Sequence, residues 1–253
     1  MIKFFRKTRQ NLLMENKTRK YLKYAVGEVI LVVLGILIAL QINNWNNNKI
    51  NRSESIEFNQ RLLTEVNENI DLANAKINKI KSVINSSKKI LELFNTKVND
   101  ENLKSLDSLI YVSISAVTIE YRAGTLNEGL NTGKVALIES NILKTNLYGL
   151  PSNIEYVGKY DKTYSTYLSE FLQSFLYKNF NYRRMDNTFT GFELGTSKFQ
   201  YQHNKSLLEN EQFENLIDNH FIQSNSQLGF HRKLKNEFEE IKKLIEVELQ
   251  TEK

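Results

Sequence analysis

The sequence contains no cysteine and a single proline, Pro151. Without cysteine there is no disulfide, no thiolate zinc site and no cysteine nucleophile. Exported proteins without cysteine are common, so this absence does not locate the compartment. One proline and ten glycines in 253 residues leave few obligatory breaks, and the apolar residues follow helical spacing almost everywhere. Histidine is scarce too: His203, His220 and His231. The last two are eleven residues apart, on one face of a helix but about 16 Å apart along it. They cannot share one metal ion, and no Glu-x-x-His pair suggests a di-metal bundle. Polar-face or capping positions are expected for them. A composition of 41% hydrophobic and 25% charged residues is that of a folded chain.

The net charge of +5 invites a nucleic-acid reading, but its distribution argues against one. Residues 1–24 hold eight basic side chains (Lys3, Arg6, Lys7, Arg9, Lys17, Arg19, Lys20, Lys23) against Glu15 alone. That net of +7 leaves −2 for the rest of the chain. A nucleic-acid binder carries its positive charge on the folded domain. Here it forms a short arm beside an apolar run, where it suits anionic lipid headgroups.

That run, "GEVILVVLGILIALQINNW", occupies residues 27–45. Residues 22–42 make a helix of roughly 30 Å, the thickness of a bilayer core. Lys23, Glu28 and Gln41, its strongly polar members, lie in or near the terminal turns. A soluble buried helix rarely runs so long without a polar residue. A cleaved signal peptide would want a shorter basic region and a small-x-small site, for which "ALQ" at 39–41 is a poor substitute. Tyr21, Tyr24 and Trp45 stand at the two ends, as interfacial aromatics do. The expectation is a retained signal anchor in a bacterial inner membrane, with the basic arm 1–21 cytoplasmic and everything after Trp45 periplasmic. Glu28 shares a stripe with Gly35 and Ala39, a small-x-x-x-small pair that permits close helix approach. Two readings stay open: a self-association face, or an ordinary membrane helix with Glu28 marking the interface.

Beyond a polar joint at 43–52, an all-α domain is expected over 53–253, a mostly helical, elongated antiparallel bundle. Ile56, Leu63, Ile70, Ile77, Ile84 and Leu91 recur every seven residues, with Val66, Ala73, Ile80 and Phe94 on a second stripe. Counting back by sevens from Ile56 reaches Lys49, Ile42, Gly35 and Glu28, so a continuous helix would bring the two stripes into phase. Asp100 is expected to cap a helix at about 101–116 with Leu103, Leu106, Ile110 and Ile114 inward. Thr125-x-x-Glu128 reads as a capping box for a short helix ended by Gly133. A helix at about 134–149 follows. Pro151 is expected to break it, and Ser152-x-x-Glu155 to restart it, with Ile154, Val157, Tyr160, Tyr164, Leu168, Phe171 and Phe175 inward. A final helix, about 210–250, turns Phe213, Ile217, Phe221, Leu228, Leu234, Phe238, Ile241 and Ile245 to the core.

The opening "MIKFFRKTRQNLLMENKTRKYLKYAVGEVILVVLGILIALQINNWN" resembles that of an uncharacterised single-pass inner-membrane family, a domain of unknown function common in Bacteroidota. The middle, "EYRAGTLNEGLNTGKVALIESNIL", is similar to that family's Tyr–Leu–Gly–Ile pattern, here Tyr121, Leu126, Gly133 and Ile138. Pro151 and the segment 181–205 depart from the pattern. The resemblance implies a bacterial inner-membrane protein and supplies no activity.

Motifs that would carry chemistry are incomplete. "GLNTGKV" (129–135) has three residues between its glycines where a phosphate loop needs four, and Val135 stands where Ser or Thr belongs. Ser86-x-x-Lys89 lacks the partner elements of acylating enzymes and reads as a solvated helix face. No catalytic residue, cofactor or metal is assigned, and no enzyme activity is expected. The segment 181–205 is the better lead. Its rings Tyr182, Phe189, Phe192, Phe199 and Tyr201 either fold back over the bundle or form a partner-docking loop. The functional expectation is a membrane-tethered interaction or scaffold module touching the bilayer, itself as a homodimer, or an unidentified envelope protein. The alternative is a ligand-sensing domain acting through a partner membrane protein, since an arm of 24 residues is too short for an output domain.

Overall fold

The structure is a computed structural model, which describes residues 18–97, 99–115, 119–193, 195, 197–198 and 206–251. Among these residues every regular element is helical, so the fold is all-α. In chain order they are α1 (Thr18–Phe94), α2 (Asp100–Ser113), α3 (Gly124–Thr132), α4 (Asn141–Tyr167), α5 (Ser174–Asn179), α6 (Tyr182–Phe189) and α7 (Glu211–Thr251). Tight 3₁₀ turns cover Lys134–Leu137 and Ser206–Glu209, and a wide π turn, Leu168–Gln173, joins α4 to α5.

The chain divides into two units between Ser55 and Ile56. In the first, the expected joint 43–52 is helical despite its six asparagines. Extending a helix already nucleated on both sides needs only one more hydrogen bond per residue fixed, so weak formers are carried along. Lys49 lies over the Trp45 ring one turn back, 5.9 Å from its centre.

The second unit is a bundle of four columns. The cores pair Phe58–Val66 with Leu143–Val157, and Ile90 with Leu172 and Leu176, so α1 and α4 run parallel. Against them α7 runs antiparallel, since Asn153 meets Glu237 whereas Tyr160 meets Gln223. The remaining column is α2, an extended stretch at 119–123, and α3. One apolar cluster fills the Phe58 end and another the Ile90 end.

The buried seams keep the expected Val66, Ala73 and Ile80 of α1 and all the expected α7 positions but Phe221, and add polar residues between them. On α1 the seam is Asn59, Leu62, Val66, Asn69, Ala73, Lys76, Ile80, Val83, Ser87 and Ile90, an unbroken three-four alternation. The seven-spaced isoleucines flank it and are mostly half-buried. On α7 the seam runs from Phe213 to Glu248 with the same alternation, and His220, Ser224, Gln227 and His231 occupy its middle. Phe221 is only half-buried.

Several helix ends and breaks also differ. Asn99, not Asp100, caps α2, accepting from the Asn102 amide at 2.8 Å. The expected capping box at Thr125 is replaced by a remote carboxylate. Glu65 of α1 accepts from the amides of Thr125 (2.6 Å) and Leu126 (3.1 Å), while Glu128 turns to Arg61 and Lys134. Gly133 ends α3 as expected, at φ 78°. Helix α4 starts only at Asn141, with Ser140 as its cap and Glu248 of α7 accepting from the Glu139 and Ser140 amides. Pro151 does not break α4, which continues to Tyr167. A proline costs a helix interior about 3 kcal/mol. The buried Leu143, Leu147, Leu150 and Val157 on the same helix offset that. Ser152 therefore restarts nothing.

The π turn explains one more difference. It inserts an extra residue into a turn and so rotates the inward face. Leu172 is fully buried in place of Phe171, which stands 52% exposed.

Candidate functional site

In the first unit, the side chains Val29–Leu34, Ile36–Ile38, Leu40, Ile42 and Trp45 are all exposed, with no described part of the protein covering them. A run apolar on every face satisfies itself only in an apolar medium. This segment is long and apolar enough to span a membrane, consistent with single-pass anchoring. Glu28, Gly35 and Ala39 stand at i, i+7 and i+11 of α1, hence on one stripe. A Cβ added at Gly35 would meet nothing within 4 Å. The arm 1–17 lies outside the described residues.

In the second unit the unexpected feature is a set of buried polar residues between the Phe58-end and Ile90-end clusters, where α1 and α7 also contribute a third small cluster of Ile77, Ile80 and Leu228. Its hub is Asp161 of α4. Lys76 of α1, 1% exposed, pairs with it at 2.9 Å. Gln227 donates to it at 2.7 Å, and His231 Nε2 lies 3.1 and 3.2 Å from its two oxygens. A carboxylate only accepts, so Nε2 carries the proton, and Nδ1 is left to accept from the Tyr121 hydroxyl at 2.7 Å. Burial opposes ionisation of Asp161, but the hydrogen bonds from His231, Gln227 and Lys76 together outweigh it, and the carboxyl titrates below its ordinary value. Its contribution to stability is thus in place above the ordinary carboxylate range and is lost as pH falls through the depressed value. Burial, then the Asp161 charge, raises the Tyr121 phenol and keeps it neutral.

One heptad and a half away on α7, His220 has only neutral partners. Its Nε2 faces the Ser113 carbonyl at 3.0 Å, at the end of α2, so the proton sits there. Nδ1 accepts from the Tyr164 hydroxyl, whose oxygen takes Ser224 at 2.8 Å. Burial pushes the imidazole down to about 4, only partly countered by the Ser113 carbonyl. Both histidines are therefore core residues, correcting the polar-face expectation. An apolar-period reading passes over polar residues at seam positions, although the spacing 220, 224, 227, 231 is itself heptad-like and carries the signal.

Of the five rings of 181–205 read as either a cover for the bundle or a docking loop, three lie among the described residues. Tyr182, half-buried in α6, packs with Tyr177 and Phe180 at 5.2 and 5.4 Å. Among the described residues its hydroxyl has no hydrogen-bond partner, and burial pushes it up to about 12. Phe189 stacks on Tyr111 of α2 at 5.0 Å, while Phe192 is exposed. Phe199, Tyr201 and His203 lie outside the described residues. Much of 181–193 is thus helix α6 laid back on the bundle, anchored by buried Met185 and by Arg184 on Asp107 at 3.0 Å.

The remaining sequence motifs have structural roles. Gly129 packs so closely on Phe58 that a Cβ there would lie 2.3 Å from the ring, and Gly133 ends α3. Ser86 is buried on α1 rather than solvated, and Lys89 points to solvent. Among the described residues no group of three or more His, Asp or Glu could hold a metal ion. An open groove of about 540 Å³ runs along α4 from Lys159 to Phe171, walled by Lys162, Tyr167 and Glu170. No protein-family model, curated protein or solved structure matches the chain.

Proposed function

We propose that this chain is a single-pass protein of a bacterial inner membrane, its arm 1–21 cytoplasmic and its helical domain periplasmic, acting as an interaction or scaffold module. The observation that carries the reading is the bare apolar run of α1 beside an arm of net charge +7. Basic flanks stay on the cytoplasmic side during insertion. The resemblance of residues 1–46 to an inner-membrane family agrees. Within the bundle, Lys76 and His231 bond to Asp161, and His220 bonds to the Ser113 carbonyl and Tyr164, which suits a module working through its surface.

The module self-associates in this reading through Glu28, Gly35 and Ala39. Because the chain has no cysteine, introduced thiols report cleanly. In intact spheroplasts the thiol of a Thr8→Cys variant should be shielded from an impermeant maleimide, and that of Thr251→Cys should be labelled. In membranes, Ala39→Cys should give a disulfide dimer and Leu37→Cys, on the opposite side of the helix, should not. Reversed labelling overturns the topology. A dimer yield insensitive to Glu28→Leu with Gly35→Ile overturns the shared face.

A second reading, a ligand-sensing domain acting through a partner membrane protein, is favoured by the interrupted α2–α3 column beside the polar layer. A melting temperature unmoved by a panel of small metabolites counts against it.

A further inference from the structure

The open groove that starts at Lys159 of α4 and ends at Phe171 in the π turn is lined by consecutive turns of one column. Counted from Lys159, its lining falls at i+3, i+4, i+7, i+8 and i+11, one face of a helix. Phe171, at i+12, would lie off that face in a regular helix. The extra residue of the π turn brings it round, so that it joins the groove and stacks on Tyr167 with ring centres 5.1 Å apart. Single π turns inside helices occur frequently at functional sites.

Each group on this face restricts what can lie there. The exposed Phe171 ring offers a flat apolar surface. Lys159 and Lys162 are exposed, about one turn apart, and among the described residues form no ion pair, so they suit a carboxylate. Glu170 is exposed on the same face and likewise unpaired among the described residues, which repels a ligand charged at every unit. Thr163 and Thr166 donate their hydroxyl protons to the Lys159 and Lys162 carbonyls, both at 3.0 Å. Their oxygens, like the Glu170 carboxylate, therefore have only acceptor capacity left. Three acceptors along one face ask for a ligand rich in donors. The side of a partner helix has few, because its backbone N–H groups are spent internally. A carbohydrate carries a hydroxyl on most of its ring carbons.

We propose that this face binds a glycan strand in which neutral rings alternate with rings carrying a single carboxylate. A neutral ring lies flat on Phe171, its hydroxyl and amide groups donate to Glu170 and the threonines, and a carboxylate meets Lys159 and Lys162. The groove, of about 540 Å³, has the size of a small-ligand cleft. It follows roughly 18 Å of helix, which suits several rings rather than one. The inference rests on the reading of the domain as an interaction module and names the chemistry of its partner.

Saturation-transfer NMR titrations of the detergent-purified full chain test this with three peptide-free tetrasaccharides. One alternates N-acetylglucosamine with N-acetylmuramic acid, one is the neutral N-acetylglucosamine tetramer, and one is tetragalacturonate, charged on every ring. The alternating sugar should bind about tenfold more tightly than either of the others. Lys159→Gln with Lys162→Gln should erase its advantage over the neutral tetramer. Phe171→Ser should weaken both by about tenfold. All three side chains are exposed, so the variants should keep the wild-type helicity by circular dichroism. Equal binding of the three sugars, tightest binding of tetragalacturonate, or no saturation transfer to any of them overturns the proposal. So does an acidic amphipathic peptide that occupies this face when no sugar does. None of these outcomes alters the thiol-labelling topology or the Ala39→Cys dimer, which test the underlying reading separately.

Discussion

Lys76 is the residue whose loss the bundle should feel most. An ammonium 1% exposed needs a counter-charge, which Asp161 supplies at 2.9 Å, and the carboxylate in turn needs its donors. Removing one partner of a buried pair leaves the other charge uncompensated, at a cost of about 3–5 kcal/mol. Lys76→Met should lower the stability of the domain by that amount in chemical denaturation. Lys76→Met combined with Asp161→Asn should recover most of it, because the amide still accepts from His231 Nε2 without carrying a charge. Equal costs for the single and double variants would show that Asp161 is not the group left stranded.

At the scale of elements, α4 holds a proline that its neighbours overrule. Pro151 leaves the Leu147 carbonyl without its i+4 amide, so Pro151→Ala should stabilise the domain by about 1–3 kcal/mol, with unchanged helicity, in thermal melts followed by circular dichroism. A loss of stability would mean that the local bend is required for packing. Elements with an apolar face, α2 and α7 above all, were legible because period 3.6 is written in Leu103, Leu106 and Ile110, or in Phe238, Ile241 and Ile245. What the pattern hides is any seam position filled by a polar residue. Asn69, Lys76, His220 and His231 are seam residues in a layer where hydrogen bonding replaces apolar contact, so the candidate site was the least legible part of the fold. The trans-caps by Glu65 and Glu248 were hidden for another reason. Local capping motifs describe neighbours in sequence, and these carboxylates reach across about sixty and about a hundred residues. The register change at Leu168–Gln173 leaves no local mark either, since one inserted residue looks like ordinary helix until the partner columns are known.

For the whole molecule, the division between Ser55 and Ile56 separates a unit that needs an apolar medium from one that carries its own cores. A fragment of residues 56–253 should therefore be soluble without detergent, helical, and cooperative in unfolding. The full chain should require detergent for extraction. A fragment that aggregates or remains unfolded would show that the bundle depends on residues before Ile56.

The carboxylate of Glu248 serves amides 109 and 108 residues earlier in the chain. At about 5–20 residues per second, synthesis delivers that glutamate roughly 5–20 s after the start of α4. The seam of α7 that covers Leu143, Leu147 and Leu150 arrives over the same interval. A nascent chain halted near residue 205 would thus hold an α4 capped by Ser140 alone, with its leucines lacking the α7 side of their cluster. For those seconds a holdase or a quality-control protease has its best access to this protein, and slowing the emergence of α7 would lengthen that window without changing a single native contact.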